Sequence, residues 1–572
     1  MSDKHDRRAL VGPAAHRWTT LKFTRVVLVA VHNVTTLTRL LDVIPAFEND
    51  ERVQLFFTHL PGDPFPHGLT DILGDSGAMV IPWKQAERKR FDLAISASHH
   101  GMLGKIRAPL VLLSHGIGYT KYSPQQAAGS RQQAAGSRQQ AAGSRQAFGL
   151  SAEWLLHKGK PRADAFCLSH DHQLELVRET APAALQNSFV VGDPCYDRIV
   201  ASSPLRNRYR AALHVGTRRL VLVSSTWSGS SLLGSRPSFL RELLSELPRD
   251  SWLVAVAPHP NVRHGHGPDQ VRRWYADCLR AGMVILPEFD GWRAGLIAAD
   301  IVLGDHGSVT GYAAALGKPT LLAAFDDVPP GTPISALGDT APRLRTSGPF
   351  LPHLVSAIEE HKPDRFASVA ERVTSLPGRS LKTLRELFYR LLELDEPPAA
   401  VTVETIPALP VEPSNPDVLA DLVTGWVDMD SRQVELERRP AEVVRPGTPL
   451  RQANDDEQHV NCSFDHPARS LVANAAVLIV QETDPGPLPQ RWWQEFWLRH
   501  PACTVAAVGY GWTAQVWMRD GTSITLTSPG MDAAILASAV YLWQAAGLPV
   551  RSLETGFSLR LGDETHDVAV AL

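Results

Sequence analysis

Gly304-Asp305-His306-Gly307-Ser308-Val309-Thr310 follows the apolar run Ile301-Val302-Leu303 and leads into Gly311-Tyr312-Ala313-Ala314-Ala315-Leu316-Gly317-Lys318-Pro319. The apolar run reads as the end of a buried strand. The small-residue segment after Ser308 reads as a helix that stops at Gly317, before Pro319. A strand, a tight polar turn and a helix start make an anion site. The first helical turn has unpaired N–H groups and about half a positive charge. Ser308 and Thr310 add hydroxyl donors. The competing reading is that Asp305 or Ser308 only caps the helix.

The same alternation extends outward in both directions. Residues 25–30, 53–57, 78–82, 91–96, 109–113, 165–169 and 188–191 read as short apolar strands separated by helices. The pattern restarts with strands at 219–224, 252–256, 283–286, 300–303 and 319–323, and amphipathic helices at 237–247 and 380–394. Continuous apolar strands between helices specify parallel sheets covered on both faces. The expected fold class is therefore α/β, with two Rossmann-like domains, 23–200 and 201–395, facing each other across a cleft. A loose tail, 1–22, precedes them. The Pro- and Glu-rich stretch 396–465 reads as a linker, and 466–572 as a small accessory α/β domain suited to a protein partner. Trp492, Trp493, Phe496 and Trp497 have helical spacing and read as core. Gln-Gln-Ala-Ala-Gly-Ser-Arg occurs three times in tandem across 125–145, an expanded surface loop.

Composition narrows the function. The 572 residues carry a formal net charge of −3, so no basic field calls for nucleic acid. The five cysteines are scattered without a C-x-x-C pair, which suggests neither a disulfide framework nor a zinc site and fits the cytoplasm. No signal core and no run of about 18 apolar residues occurs, so membrane contact is expected only at the periphery of the inner face. No metal or cofactor is expected.

Chemistry-bearing residues fall at the carboxyl ends of the expected strands, where ligands bind such sheets. Ser114-His115-Gly116-Ile117-Gly118-Tyr119-Thr120-Lys121 puts a histidine and two glycines there. Ala257-Pro258-His259-Pro260 puts a second histidine in a proline-fixed loop. An imidazole of ordinary pKa near 6.5 can accept a proton at neutral pH. Ser225-Thr226-Trp227-Ser228 offers hydroxyls after a strand, and Gly192-Asp193-Pro194-Cys195-Tyr196-Asp197 reads as a turn. His32 and Asn33 follow the first strand and are candidates to reach the cleft. His264 and His266 read as a solvated loop.

These elements, in this order, resemble the CDP-glycerol glycerophosphotransferase family of teichoic-acid polymerases and primases. His115-Gly116 with Lys121 resembles its His-Gly and lysine, and Gly192-Asp-Pro-Cys-Tyr-Asp197 its Gly-x-Pro-x-x-Asp. Ser225-Thr226-Trp227-Ser228 resembles its Pro-Thr-Trp-Arg turn, His259-Pro260 its His-Pro, and Gly304-Asp305-His306-Gly307-Ser308 the turn before its Gly-Lys-Pro helix. The resemblance covers about residues 25–395 and implies the GT-B architecture. It implies transfer of a polyol phosphate from a nucleotide-activated donor to a polyol-phosphate or glycan acceptor, including a lipid-linked one. It implies catalytic roles for His115 and His259, and phosphate contacts from Gly116, Lys121, Ser225, Thr226, Asp305, His306, Gly307, Ser308 and Thr310. The chain departs from the pattern where Ser228 replaces arginine, where Ile117-Gly118-Tyr119 follows His-Gly, and at His306-Gly307. Acceptor and nucleotide therefore stay open. A nucleotide-sugar glycosyltransferase, a 2-epimerase-like enzyme and a non-catalytic scaffold are the rival readings.

Overall fold

The structure, a computed structural model, describes residues 20–62, 69–75, 77–122, 147–346, 349–408, 418–444, 457–480 and 490–571. The repeat at 125–145 lies outside the described residues.

The first sheet has six parallel strands: β1 (Arg25–Val31), β2 (Val53–His59), β3 (Leu93–Ser96), β4 (Leu110–Leu113), β5 (Ala165–Leu168) and β6 (Ser188–Val190), in the order β2-β1-β3-β4-β5-β6. The expected strand at 78–82 is reduced to a single bridge, Val80 to Phe57, on the outer edge of β2. The second sheet has five parallel strands: β7 (Arg219–Ser225), β8 (Trp252–Pro258), β9 (Val284–Ile285), β10 (Ile301–Gly304) and β11 (Thr320–Leu322), ordered β9-β8-β7-β10-β11. Both are Rossmann-like. The strand order reverses between β1 and β3 in one, and between β7 and β10 in the other. Crevices open at those points. The helix expected over 237–247 runs from Phe239 to Glu246, with Pro237 outside it.

The amphipathic helix Ser380–Leu392 follows the second unit in sequence but packs on the first. Its Leu381, Leu384, Leu387, Phe388 and Leu392 join Val27, Val29 and Val31 of β1 in one buried cluster. Asp197 starts this return. Its carboxylate accepts from Gly378 N (2.7 Å) and Ser380 N (2.9 Å). The Gly192–Asp197 segment is thus a junction between units and more than a turn. Two parallel Rossmann-like sheets with a returning terminal helix are consistent with GT-B.

The C-terminal part corrects the sequence reading. It is a closed nine-stranded barrel, not a small α/β domain. Its strands are β12 (Ala420–Asp428), β13 (Gln433–Pro440), β14 (Glu457–Ser463), β15 (Val477–Val480), β16 (Val505–Tyr510), β17 (Thr513–Met518), β18 (Ser523–Thr527), β19 (Phe557–Leu561) and β20 (Glu564–Ala571). The first three come from the stretch 396–465 expected as a linker. The helix Ala533–Ala545 fills the interior. Its Ile535, Leu536, Val540, Leu542 and Trp543 cluster with Val423, Val434, Val516, Leu526 and Leu559 from strands around the wall. Full closure leaves no unpaired strand edge. Trp493 and Phe496 of the helix Gln490–Arg499 pack against the outside of the barrel. Ion pairs join the barrel to the second Rossmann-like unit: Arg249 to Asp421 (2.8 Å), Arg438 to Asp250 (2.7 Å) and Arg280 to Glu442 (2.7 Å).

Candidate functional site

The carboxyl ends of the two sheets meet through the loop after β4. Ile117 inserts into the hydrophobic core of the second unit. Its N–H donates to Ser308 Oγ across the junction (3.2 Å). Gly116 is needed for this approach, because a Cβ there would stand 2.9 Å from Ser308 Oγ. The His115-Gly116 loop therefore rests on the start of the helix Ser308–Ala315, the anion site anticipated from sequence. No side chain caps that helix. Ser308 Oγ receives its hydrogen bond from Ile117, so its own O–H hydrogen remains to donate to a bound anion.

The two catalytic candidates have complementary tautomers. His115 Nδ1 lies 3.2 Å from the carbonyl oxygen of Ala97. A carbonyl only accepts, so Nδ1 carries the hydrogen and Nε2 has the free lone pair. His259 caps the helix Pro260–His266, and its Nδ1 accepts from Asn261 N (3.1 Å). The neutral ring therefore carries its hydrogen on Nε2. One imidazole is arranged as a base and the other as a donor.

Both rings titrate below the ordinary histidine range. For His115 the main cause is desolvation among crowded protein atoms, followed by the Lys121 and Arg39 cations. The residue as a whole is nonetheless exposed. For His259 the causes are burial, then Lys121, then His115. His115, Lys121 and His259 thus lie within electrostatic reach of one another, although they come from different units. Lys121 is itself pushed down by desolvation, with Asp305 opposing. His306, half-buried, is lowered by desolvation as well. Trp227 lies beside His259, ring centroids 6.4 Å apart.

Several residues expected on the phosphate do something else. Asp305 is fully buried. Its Oδ2 accepts from Thr226 N (2.8 Å), Thr226 Oγ1 (2.9 Å) and Leu232 N (3.0 Å), and its Oδ1 from Gly307 N (3.1 Å). A carboxylate would repel phosphate; here it organises the turns after β7 and β10. Thr226 spends its hydroxyl hydrogen on Asp305, and Ser225 Oγ donates to Thr226 O (3.0 Å). Gly307 is required because a Cβ would come within 2.9 Å of Thr226 Cγ2. Thr310 is buried and folds back on Gly304. Asn33 caps the helix Val34–Leu41, accepting from Thr36 N (3.0 Å), while His32 is buried. His264 pairs with Glu288 (2.8 Å) in a helix rather than a solvated loop. Lys121, His306, Ser308 and the open helix turn remain to meet an anion.

No sequence pattern announces the clamp behind this site. Arg39, from the helix Val34–Leu41, donates to Asp193 Oδ1 (2.6 Å), to the Gly116 carbonyl (2.9 Å) and to Tyr312 Oη (2.8 Å). Tyr312 donates in turn to Asp193 Oδ2 (2.7 Å). All three side chains are buried. They tie the His115 loop to the helix that begins at Ser308. A second cluster joins Arg293 to Asp42 (2.6 Å) and Asp290 (2.7 Å), and Arg198 to both aspartates. A cavity adjoins it, lined by Asp42, Arg198, Phe289, Asp290 and Arg293 among others; it takes in Pro194 and Asp197 of the Gly192–Asp197 motif but neither His115, His259 nor Ser308. Long-range pairs of this kind leave only spacing-free Arg and Asp residues in the sequence.

No protein-family model matches the chain, and no curated protein does. Among solved structures, the wall teichoic acid polymerase TagF, as a variant soaked with CDPG, is similar at 12% identity over 65% of this chain and 89% of its own, with a TM-score of 0.42. TagF without that soak gives 10% identity, 65% and 90% coverage and a TM-score of 0.39. Anabaena Alr3699/HepE in complex with UDP-glucose gives 12% identity, 64% and 99% coverage and a TM-score of 0.37. Identity this low and superposition this loose carry no residue's role across to this chain. Among the described residues, no helix is long and apolar enough to cross a membrane.

Proposed function

We propose that the protein is a GT-B-type transferase that moves a glycerophosphate-like unit from a CDP-activated donor to a hydroxyl acceptor. The observation that carries this reading is the pair of complementary imidazoles, one from each unit and within electrostatic reach of each other, with the His115 loop resting on an uncapped helix start. The donor's pyrophosphate would sit at the first turn of the helix Ser308–Ala315, met by the Ser308 hydroxyl, His306 and Lys121. The acceptor oxygen attacks the phosphorus bearing the polyol, and its proton passes to His115 Nε2. The bond from that phosphorus to the bridging oxygen breaks, and CMP departs with the electron pair. His259 Nε2–H hydrogen-bonds the phosphate oxygens as charge moves onto the leaving group. Gly116 allows the base to approach; Asp305, Ser225, Thr226, Gly307 and Thr310 hold the frame. Acceptors of the polyol-phosphate or glycan type, including lipid-linked ones at the inner membrane face, belong to this reading.

The test is transfer from labelled CDP-glycerol to a polyol acceptor by the full chain and by His115→Ala and His259→Ala. General acid–base help is worth about 10²–10⁴-fold, so each variant should lose at least about 10²-fold in kcat with its melting curve unchanged. Wild-type turnover in either variant, or no CMP release by the parent protein, would overturn the reading.

A further inference from the structure

On the first unit, β1 and β3 end at the crevice where the strand order reverses. His32 follows β1, and His99-His100 follow β3. Their rings form a pile. His32 and His100 stack at 5.6 Å and 27°, and His100 and Phe148 at 5.5 Å and 25°. Trp154 stands edge-on to His100 at 5.2 Å and to Phe148 at 4.4 Å.

His100 is the informative member. A ring on each side fixes its orientation, yet the residue is exposed. Among the described residues, its backbone N–H is held by Ser98 Oγ (3.0 Å), while no protein group hydrogen-bonds its imidazole. A side chain locked by stacking, open to solvent and unbonded at its polar edge is preorganised for a ligand. His100 also acts electrostatically on His115, and both residues follow neighbouring strands of the same sheet, β3 and β4.

We propose that this ring stack seats a sugar ring of the acceptor, with His100 hydrogen-bonding one of its hydroxyls. The chemistry of the walls chooses the class. Phe148 and Trp154 flank His100 and are only half-buried, and Met102, two residues on, is exposed; aromatic and apolar side chains of this kind match the C–H face of a sugar ring. Partial desolvation by the flanking rings lowers the His100 pKa, so its ring is a neutral donor and acceptor at pH 7, suited to hydroxyls. The cations Lys121, Arg39 and Arg162 act on the neighbouring His115 and His99, and no cation is among the groups that act on His100. A polyol phosphate would be poorly served by the stack. The word acceptor rests on the transferase reading; the seat itself is tested without a donor.

Isothermal titration of the full chain uses octyl β-glucoside, octyl β-galactoside and octyl N-acetyl-β-glucosaminide below their micelle concentrations, with glycerol 3-phosphate as comparator. At least one glycoside should bind saturably. His100→Ala should weaken it about tenfold, the worth of one good hydrogen bond, and Phe148→Ala by a similar factor. His100→Gln, which restores a donor and an acceptor, should recover part of the loss, an effect a merely structural role would not produce. Trp426→Ala, on the barrel surface, should bind as the parent does. No binding by any of the three glycosides, parent-like binding by His100→Ala, or His100-dependent binding of glycerol 3-phosphate in their place would overturn the proposal. Glycoside binding in a protein that releases no CMP would leave the seat standing and remove the transferase reading alone.

Discussion

Replacing Arg39 by methionine tests whether the buried Arg39–Asp193 pair of the first unit, bonded to Tyr312 of the second, braces the contact between the two Rossmann-like units. Arg39 and Asp193 are 4% and 2% exposed and lie 2.6 Å apart. Methionine keeps the unbranched stem and removes three hydrogen bonds at once. Breaking a buried pair by deleting one partner costs about 3–5 kcal/mol, mostly because the other charge is left uncompensated. Asp193 would not be wholly bare, since Cys195 N (2.9 Å), Tyr196 N (3.0 Å) and Tyr312 Oη (2.7 Å) still donate to it. The expected loss is therefore at the lower end, about 3 kcal/mol. Tyr312→Phe removes one bond to the same carboxylate and should cost about 1.5–3 kcal/mol. The two side chains also touch each other, so the double variant should depart from additivity by about 0.5–3 kcal/mol. Urea unfolding of the full chain, followed by near-ultraviolet circular dichroism, reads all four species. The Gly116 carbonyl loses its anchor in Arg39→Met, so donor turnover should also fall while both histidines are intact. A loss below about 1 kcal/mol, or strictly additive variants, would refute the clamp.

Asp305→Asn keeps size but places an amide where four donors converge, and should cost about 2 kcal/mol or more with loss of donor binding, checked by thermal melting and calorimetry. If Asp305 contacted phosphate directly, the same change would tighten donor binding, and that result would sink the framework role. His459 is buried in the barrel, and burial pushes its imidazole down to about 3. Its unfolded value is near 6.5, so below that pH the unfolded state takes up a proton that the native state refuses. The stability it contributes is complete above about pH 6.5 and drains as the pH falls toward 3, by about 1.4 kcal/mol per pH unit. His459→Gln should flatten the barrel's melting profile between pH 6.5 and 5; an unchanged slope would count against it. The lowered pKa of His115 keeps its Nε2 unprotonated under mild acid, so the acid limb of kcat/KM should fall below the ordinary histidine value of about 6.5. A limb at or above that value would argue against His115 as the base.

The parallel sheets and the ends of their strands were legible in the sequence because each strand is a short apolar run closed by polar or glycine residues. That local pattern is enough to put His115, His259 and Ser308 at strand ends. The barrel was not legible. Gln433-Val434-Glu435-Leu436-Glu437 does alternate, with Val434 and Leu436 inward, but its prolines and acidic neighbours look like linker composition. Closure depends on β13 pairing in parallel with β19, more than a hundred residues later, and no local pattern records such a partner.

The sequence by itself determined which residues stand at the carboxyl ends of buried strands, since apolar period and turn chemistry act over a few residues. Tertiary structure alone decided which hydroxyls and charges remain free. Asp305, Thr226 and Ser225 saturate one another, whereas Ser308 is left with a hydrogen to give. The choice between framework and ligand depends on where the chain's distant donors and acceptors are brought, and hydrogen-bond satisfaction is a property of that packing.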